Sequence, residues 1–351
     1  MKSTFVLLAC ALAATSCSVI GTGDDDDKQA ADEAGGRVVL VTHESFTLPD
    51  EVVAAFEEES GYELVIRAAG DGGTLTNKLV LTAGNPTGDV AFGVDNTFAS
   101  RALEAGVFAG HEFDLPDGVE DYVLPSDTEH ALTPVDNGNV CVNVDDTWFA
   151  EKGLAPPQTF ADLADPAYEG LFALPSAVTS SVGLAFLLAT IDEYGDAWPD
   201  YWADLVDNDV QLTSGWSEAY QGDFTQGGGK GDRPIVLSYD SSPAFTVDGL
   251  GGTNTSALLD TCFEQVEYAG VLAGADNPEG AEALVEFLVG PEVQAALPDS
   301  MYVFPVVEGT ELPKEWARFA VQPTDPHVVD PDQIAANRDD WLSEWRDITT
   351  E

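Results

Sequence analysis

The stretch VVLVTHESFTLPDEVVAAFEEESGYELVIRAA, residues 38–69, decides the fold class. Val38–Thr42 is an apolar run without alternation, the pattern of a strand covered on both faces. Pro49 followed by Asp50 and Glu51 reads as a helix start: the ring suits the first helical position, and the acids suit the positive end of the helix dipole. Val52, Val53 and Phe56 share a face, and Gly61 suits the left-handed residue that ends a helix, so a helix is predicted over Pro49–Ser60. Tyr62–Ala68 is the second strand. The alternation continues outward with a helix over Thr74–Thr82, a buried strand over Asp89–Val94 and a short helix over Ser100–Ala105, closed by Gly106. This order implies an α/β fold with a parallel sheet and right-handed crossovers. Further strands are expected at Asn139–Val144, Leu171–Leu174, Val210–Leu212, Ile235–Ser238 and Phe263–Tyr268. Further helices are expected at Thr159–Leu163, Gly183–Glu193, Trp198–Val206, Pro278–Leu288 and Pro291–Leu297. The tail, Pro331–Arg346, is amphipathic, with Trp341, Leu342 and Trp345 along one face. A length of 351 residues with 44% hydrophobic content suits two such α/β units with real cores.

Charge then narrows the function. Lys and Arg total 13 and Asp and Glu total 63, a net charge of −50. Such a surface repels phosphate backbones and anionic lipid headgroups, which excludes nucleic acid and charge-driven membrane binding. It favours the approach of cationic small molecules. At the N-terminus, Phe5–Ala14 (FVLLACALAA) is too short to span a bilayer and reads as the apolar part of a signal peptide over residues 1–16. Ala14-Thr15-Ser16-Cys17 resembles a bacterial lipobox, with Cys17 as the lipidated first mature residue; Ala14 departs from the usual Leu. Residues 17–36 form an acidic flexible tether. No later segment is long and apolar enough to cross a membrane, so the body is expected outside the cytoplasm, held by its lipid. Cys10 leaves with the signal, and Cys141 and Cys262 remain as an even pair in an oxidising compartment, where a disulfide is favoured over two free thiols.

Catalytic patterns are missing from the sequence. His43, His111, His130 and His327 form no metal-ligand spacing, and no Cys-x-x-Cys occurs. Gly227-Gly228-Gly229-Lys230 lacks the Ser or Thr of a phosphate loop, and Ser217 lacks the second glycine of a nucleophile elbow. Neither an enzyme nor a metal or cofactor is called for.

Several segments together resemble the thiamine-binding proteins of bacterial ABC importers. They are Ser214–Tyr220 (SGWSEAY), Val236–Phe245 (VLSYDSSPAF), Thr42–Phe46 (THESF), Gly70–Leu75 (GDGGTL), Asp89–Asn96 (DVAFGVDN), Thr179–Leu184 (TSSVGL) and Ile334–Arg346 (IAANRDDWLSEWR), in the same order from about Val38 to Arg346. The resemblance implies a two-lobed, type II periplasmic-binding-protein-like α/β fold with a ligand cleft between lobes. The lobes are expected over residues 37–137 with 266–351, and over 138–265; Cys141 and Cys262 would then lie on neighbouring strands at the crossings. It implies thiamine, free or as its mono- or diphosphate, as ligand, an ABC permease as partner, and a monomer.

The resemblance also places the site. Trp216 and Tyr239 match aromatic positions suited to a cationic thiazolium. Asp71 and Gly72 match an Asp-Gly pair, and Ser180 and Ser181 a pair of hydroxyls ahead of a helix, where binding and helix capping are equally open readings. Asp240, Ser241 and Ser242 complete the segment begun by Tyr239. His43 stands where a Tyr is expected and would repel a cation if protonated. Tyr302 stands near a usual Trp. Asp240 adds a carboxylate that would favour a cation and disfavour a phosphate. Asp95 and Asn96, ending a buried strand, are lip or hinge candidates. A polyamine or ferric-iron binder on the same scaffold, and a secreted hydrolase, are the competing readings.

Overall fold

The apolar run at the start of the body becomes a strand buried from both sides. In a computed structural model, which describes Gly35–Thr350, β1 spans Gly35–Thr42. Val38 and Leu40 enter one core while Val39 and Val41 enter the other. The signal segment, Cys17 and the tether as far as residue 34 lie outside the described residues.

β1 is followed by α1 (Asp50–Ser60), β2 (Tyr62–Ala68), α2 (Gly72–Leu81), β3 (Val90–Asp95), α3 (Ala99–Glu104) and the two-residue β4 (Phe108–Ala109). Pro49 sits one residue outside α1, as its cap, and Gly61 ends the helix at φ 74°, as its lack of a Cβ allows. The chain continues through β5 (Thr133–Asp145), α4 (Asp146–Lys152), α5 (Phe160–Leu163), β6 (Phe172–Pro175), α6 (Ser181–Tyr194), α7 (Trp198–Asp207), β7 (Gln211–Thr213), β8 (Ile235–Tyr239) and β9 (Thr255–Leu272). It ends with α8 (Pro278–Leu288), α9 (Pro291–Met301), β10 (Phe304–Pro305), α10 (Trp316–Phe319) and α11 (Pro331–Thr350).

The strands lie in the order β2-β1-β3-β9-β5-β8-β6-β7, with β4 on β9 and β10 on β5. The sheet is mixed rather than parallel. β1 and β3 pair parallel, as do β6 with both β7 and β8, but β9 runs antiparallel to β3 and β5. The cause is the pair of long strands that carry the chain between two α/β lobes. One lobe is built on β2, β1 and β3, the other on β8, β6 and β7, and β5 and β9 run through both. Both strands extend well beyond the sequence expectation. Asp136-Asn137-Gly138-Asn139 has turn-like composition, yet it lies inside β5 because β9 and β10 pair with it on either side.

At the middle of this ribbon the ladder slips. Val140 faces Phe263 and Val142 faces Leu258, so a wide bulge of β9 stands opposite Cys141. Cys141 and Cys262 are joined there by a disulfide, with Cα atoms 4.2 Å apart and a sequence separation of 121. Closing so long a loop in the unfolded chain is worth about 4–5 kcal/mol in the ideal chain-entropy treatment. The tail helix α11 buries Ile334, Arg338, Leu342 and Trp345, leaving Trp341 half-buried. It spans elements of both lobes: Trp345 meets Trp202 of α7 edge-on at 5.5 Å, and the Arg338 guanidinium lies over Phe98, just before α3, at 5.5 Å. Among the described residues no helix is long and apolar enough to cross a membrane.

Candidate functional site

A cavity of about 210 Å³ opens where strand ends from both lobes meet. Of the residues expected at the site, His43, Asp71, Gly72, Ser181, Trp216, Tyr239 and Tyr302 line it; Ser180, Asp240, Ser241 and Ser242 do not. Glu267, Gln221, Ser45, Thr47, Met301 and several neighbours join the lining without having been expected.

Asp71 is the cap of α2 and is buried. Its carboxylate accepts from the backbone N–H of Gly72 (2.7 Å), of Ser181 at the start of α6 (3.3 Å) and of Trp216 (2.9 Å). One side chain from the first lobe is therefore held by two donors from the second. The glycines beside it make this approach possible. A Cβ on Gly72 would stand 2.7 Å from the Ser181 hydroxyl, one on Gly73 would stand 2.9 Å from the Thr179 carbonyl carbon, and one on Gly215 would stand 2.9 Å from Asp71 itself. The Thr74 N–H also donates to the Thr179 carbonyl, at 3.0 Å. Burial pushes the Asp71 carboxyl upward, and its N–H donors pull it back. Ser180 is the cap of α6, with its hydroxyl accepting from Gly183 N–H at 3.4 Å, and the same hydroxyl also supports the Asp71 carboxylate that lines the cavity.

The opposite wall is aromatic. The Trp216 indole stacks on Tyr220 with centroids 5.0 Å apart and planes 10° apart, and lies 6.3 Å from Tyr239 and 6.1 Å from Tyr302. The serines that do not reach the cavity orient this wall from behind. Trp216 Nε1 donates to Ser238 Oγ (2.9 Å), which pairs with Ser242 Oγ (2.8 Å), and Ser242 Oγ also accepts from Tyr239 N–H (3.2 Å). The Ser241 hydroxyl donates to the Tyr302 carbonyl, and Tyr302 adopts φ 65°, a strained value for a bulky residue. Trp216 and Gln221 flank and enter the π-helical turn Glu218–Asp223, a local irregularity of the kind often found at functional sites.

Asp240 belongs to another neighbourhood. It is fully buried, accepts from Asn139 Nδ2 (2.7 Å) and backbone N–H (3.3 Å), and burial pushes its carboxyl up to about 7. It does not line the cavity, and burial opposes its ionisation. Asp95 and Asn96 fasten the end of β3 instead of forming a lip: Asp95 accepts from Thr97, Phe98 and Gln265, and Asn96 exchanges hydrogen bonds with the β9 backbone.

The carboxylate that does enter the cavity beside the aromatics is Glu267. It lies on β9 directly opposite Asp136 of β5, and both are buried. Burial and the neighbouring carboxyl push Glu267 well above the ordinary glutamate range. His43 Nε2 lies 3.6 Å from it. The imidazole packs against Phe92 and Phe46 in space that Gly93 leaves open; a Cβ there would collide with the ring. Burial pushes His43 down to about 4, so it is neutral at physiological pH and the expected repulsion of a cation does not arise. Glu267 shares its strand with Asp260, Glu264 and Gln265, so nothing in the sequence set it apart.

Residues 51–327 match the family of bacterial extracellular solute-binding proteins. A thiamine-binding periplasmic protein of Escherichia coli K12 is 32% identical over 323 residues, covering 88% of this chain and 92% of its own. A solved periplasmic thiamin binding protein superposes with a TM-score of 0.78 at 29% identity, over 90% of this chain and 96% of its own. Iron-bound HitA of Pseudomonas aeruginosa, at TM-score 0.68 and 20% identity over 90% of this chain and 99% of its own, shares the fold alone. Two lobes joined by β5 and β9, a cavity where they meet and a match over most of the body agree: the chain belongs to the bacterial extracellular solute-binding protein family.

Proposed function

We propose that this protein captures thiamine outside the cytoplasm and delivers it to an ABC importer, acting by binding and release without turnover. The observation that carries the reading is the make-up of the cavity. Trp216, Tyr239 and Tyr302 supply aromatic faces, Asp71 and Glu267 supply negative charge, and among the described residues no Lys or Arg lines it. A flat, permanently cationic heterocycle is stabilised by such surroundings, whereas a phosphate would depend on hydroxyls and backbone N–H groups alone. Free thiamine therefore binds at least as tightly as its diphosphate. The lobes move as 37–137 with 266–351 and as 138–265, bending where β5 and β9 pass between them. Cys17 carries the lipid that tethers the monomer near its permease.

A thermal-shift screen tests the ligand. A compound that binds only the folded state at 100 times its dissociation constant stabilises it by about 2.7 kcal/mol. Thiamine is expected to raise the melting temperature most, with spermidine and ferric citrate giving little. A shift with either of those and none with thiamine would replace this reading.

A further inference from the structure

Two carboxyls meet at the floor of the cavity with, among the described residues, no Lys or Arg beside them; the nearest base is the His43 imidazole, 3.6 Å from Glu267. Glu267 and Asp136 face each other across the β5–β9 ladder, 6% and 1% exposed. The Asp136 Oδ2 atom and the His43 Nε2 atom beside Glu267 are both buried and have no hydrogen-bond partner. Asp71, the other acid in the cavity wall, is already engaged by three backbone N–H groups. The unspent acceptors of the site are thus collected at one end.

We propose that Glu267, backed by Asp136, is the seat of the ligand's cationic part and exchanges a proton for it: the empty pair holds one shared proton, and the arriving cation displaces that proton to solvent. This rests on the thiamine reading above and adds a chemistry to it. Two adjacent buried carboxylates cannot both ionise cheaply, so the empty site keeps one protonated. A fixed positive charge placed against the pair removes that penalty. The O–H bond of the carboxyl breaks, its electrons remain on the carboxylate, and the proton goes to buffer. The groups facing Glu267 from the surrounding elements are Asp136, Asp95 and Asp71, all of which disfavour a second negative charge there, and Tyr239 and His43, both of which burial keeps neutral. Because the bound form carries fewer protons, affinity for the cation rises with pH until the empty pair ionises unaided.

The test is titration calorimetry of the mature protein with thiamine, in two buffers of different ionisation heat, at several pH values from about 5.5 to 8. The wild type is expected to release up to one proton per thiamine and to bind more tightly as pH rises. Glu267→Gln should lose the proton release, flatten the pH dependence and bind thiamine at least tenfold more weakly. Asp136→Asn, keeping Glu267 but removing its partner, should shrink the release. Thiamine binding to the wild type with no proton exchange, or an unchanged release in a folded Glu267→Gln protein, would overturn the proposal while leaving the ligand intact. Absence of thiamine binding to the wild type would overturn the ligand reading and the proposal with it. The buffer comparison on the wild type needs no variant, so a poorly folded mutant does not blunt the test.

Discussion

The cavity holds two acids whose surroundings are opposites. Asp71 is met by three backbone N–H donors drawn from both lobes, while Glu267 faces Asp136, a second buried acid. The first carboxylate is satisfied by the fold and holds the lobes together. The second has only another acid for a neighbour across the ladder, so its negative charge is left for a ligand to compensate. A buried charge whose partners are in place contributes to structure, and one whose partners are missing is available to a ligand.

The largest expected effect lies at the satisfied end. Asp71→Ala leaves three buried N–H groups without an acceptor and should lower both stability and thiamine affinity by about 3 kcal/mol, read by denaturant unfolding and calorimetry. Glu267→Gln should act with the opposite sign on the empty protein, stabilising it by about 1 kcal/mol because a costly buried acid is gone, even as binding weakens. If both variants destabilise the empty protein equally, the distinction between the two ends collapses.

Next comes the aromatic wall. Trp216→Ala should weaken thiamine binding by about 1–3 kcal/mol, and thiamine should quench the indole fluorescence of the wild type. Trp345, packed on Trp202 far from the cavity, serves as the contrast: its replacement by Ala should lower stability and leave affinity alone. Equal affinity in Trp216→Ala and wild type would remove Trp216 from the site.

The pH dependence of the empty protein sharpens the same comparison. Asp95 and Asp240 are pushed up to about 6 and about 7. A carboxyl raised in the folded state binds its proton more tightly there than in the unfolded chain, so its contribution is fully present below about pH 4 and is lost as pH rises through the folded value. His43, lowered to about 4, works the other way, losing stability as pH falls from about 6.5 toward 4. Between pH 6.5 and 8 the carboxyls act unopposed, and unfolding of the empty protein should become easier as pH rises, while thiamine affinity rises. Parallel rather than opposite trends would contradict the account. The smallest effect belongs to Asp240→Asn, which should change the thiamine-to-diphosphate preference by less than about threefold, since Asp240 faces Asn139 and not the cavity.

Much of this was legible in the sequence, and the part that was not has a physical reason. The helices announced themselves through caps: Pro49 and Gly61 bound α1, and Pro278 opens α8 where expected. The disulfide followed from the cysteine count. Asp136-Asn137-Gly138-Asn139 was hidden because its polar composition describes a turn, while its partners, β9 and β10, come from more than a hundred residues away. Motif matching found Trp216 and Tyr239 in the wall but could not tell that Ser241 and Ser242 stand behind it. Glu267 was missed because one acid among 63 acidic residues carries no signal until its burial is known.

The central claim is that this cavity binds a cationic heterocycle through aromatic faces and the carboxyl of Glu267, without a positively charged phosphate anchor. Calorimetric titration of the purified mature protein with thiamine and with thiamine diphosphate, at low and at physiological salt, tests it most directly. The account predicts one thiamine per chain, bound at least as tightly as the diphosphate, with the advantage widening at low salt as the −50 surface charge acts with less screening. A diphosphate affinity well above that of thiamine at both salt concentrations, or no thiamine binding at all, would contradict it.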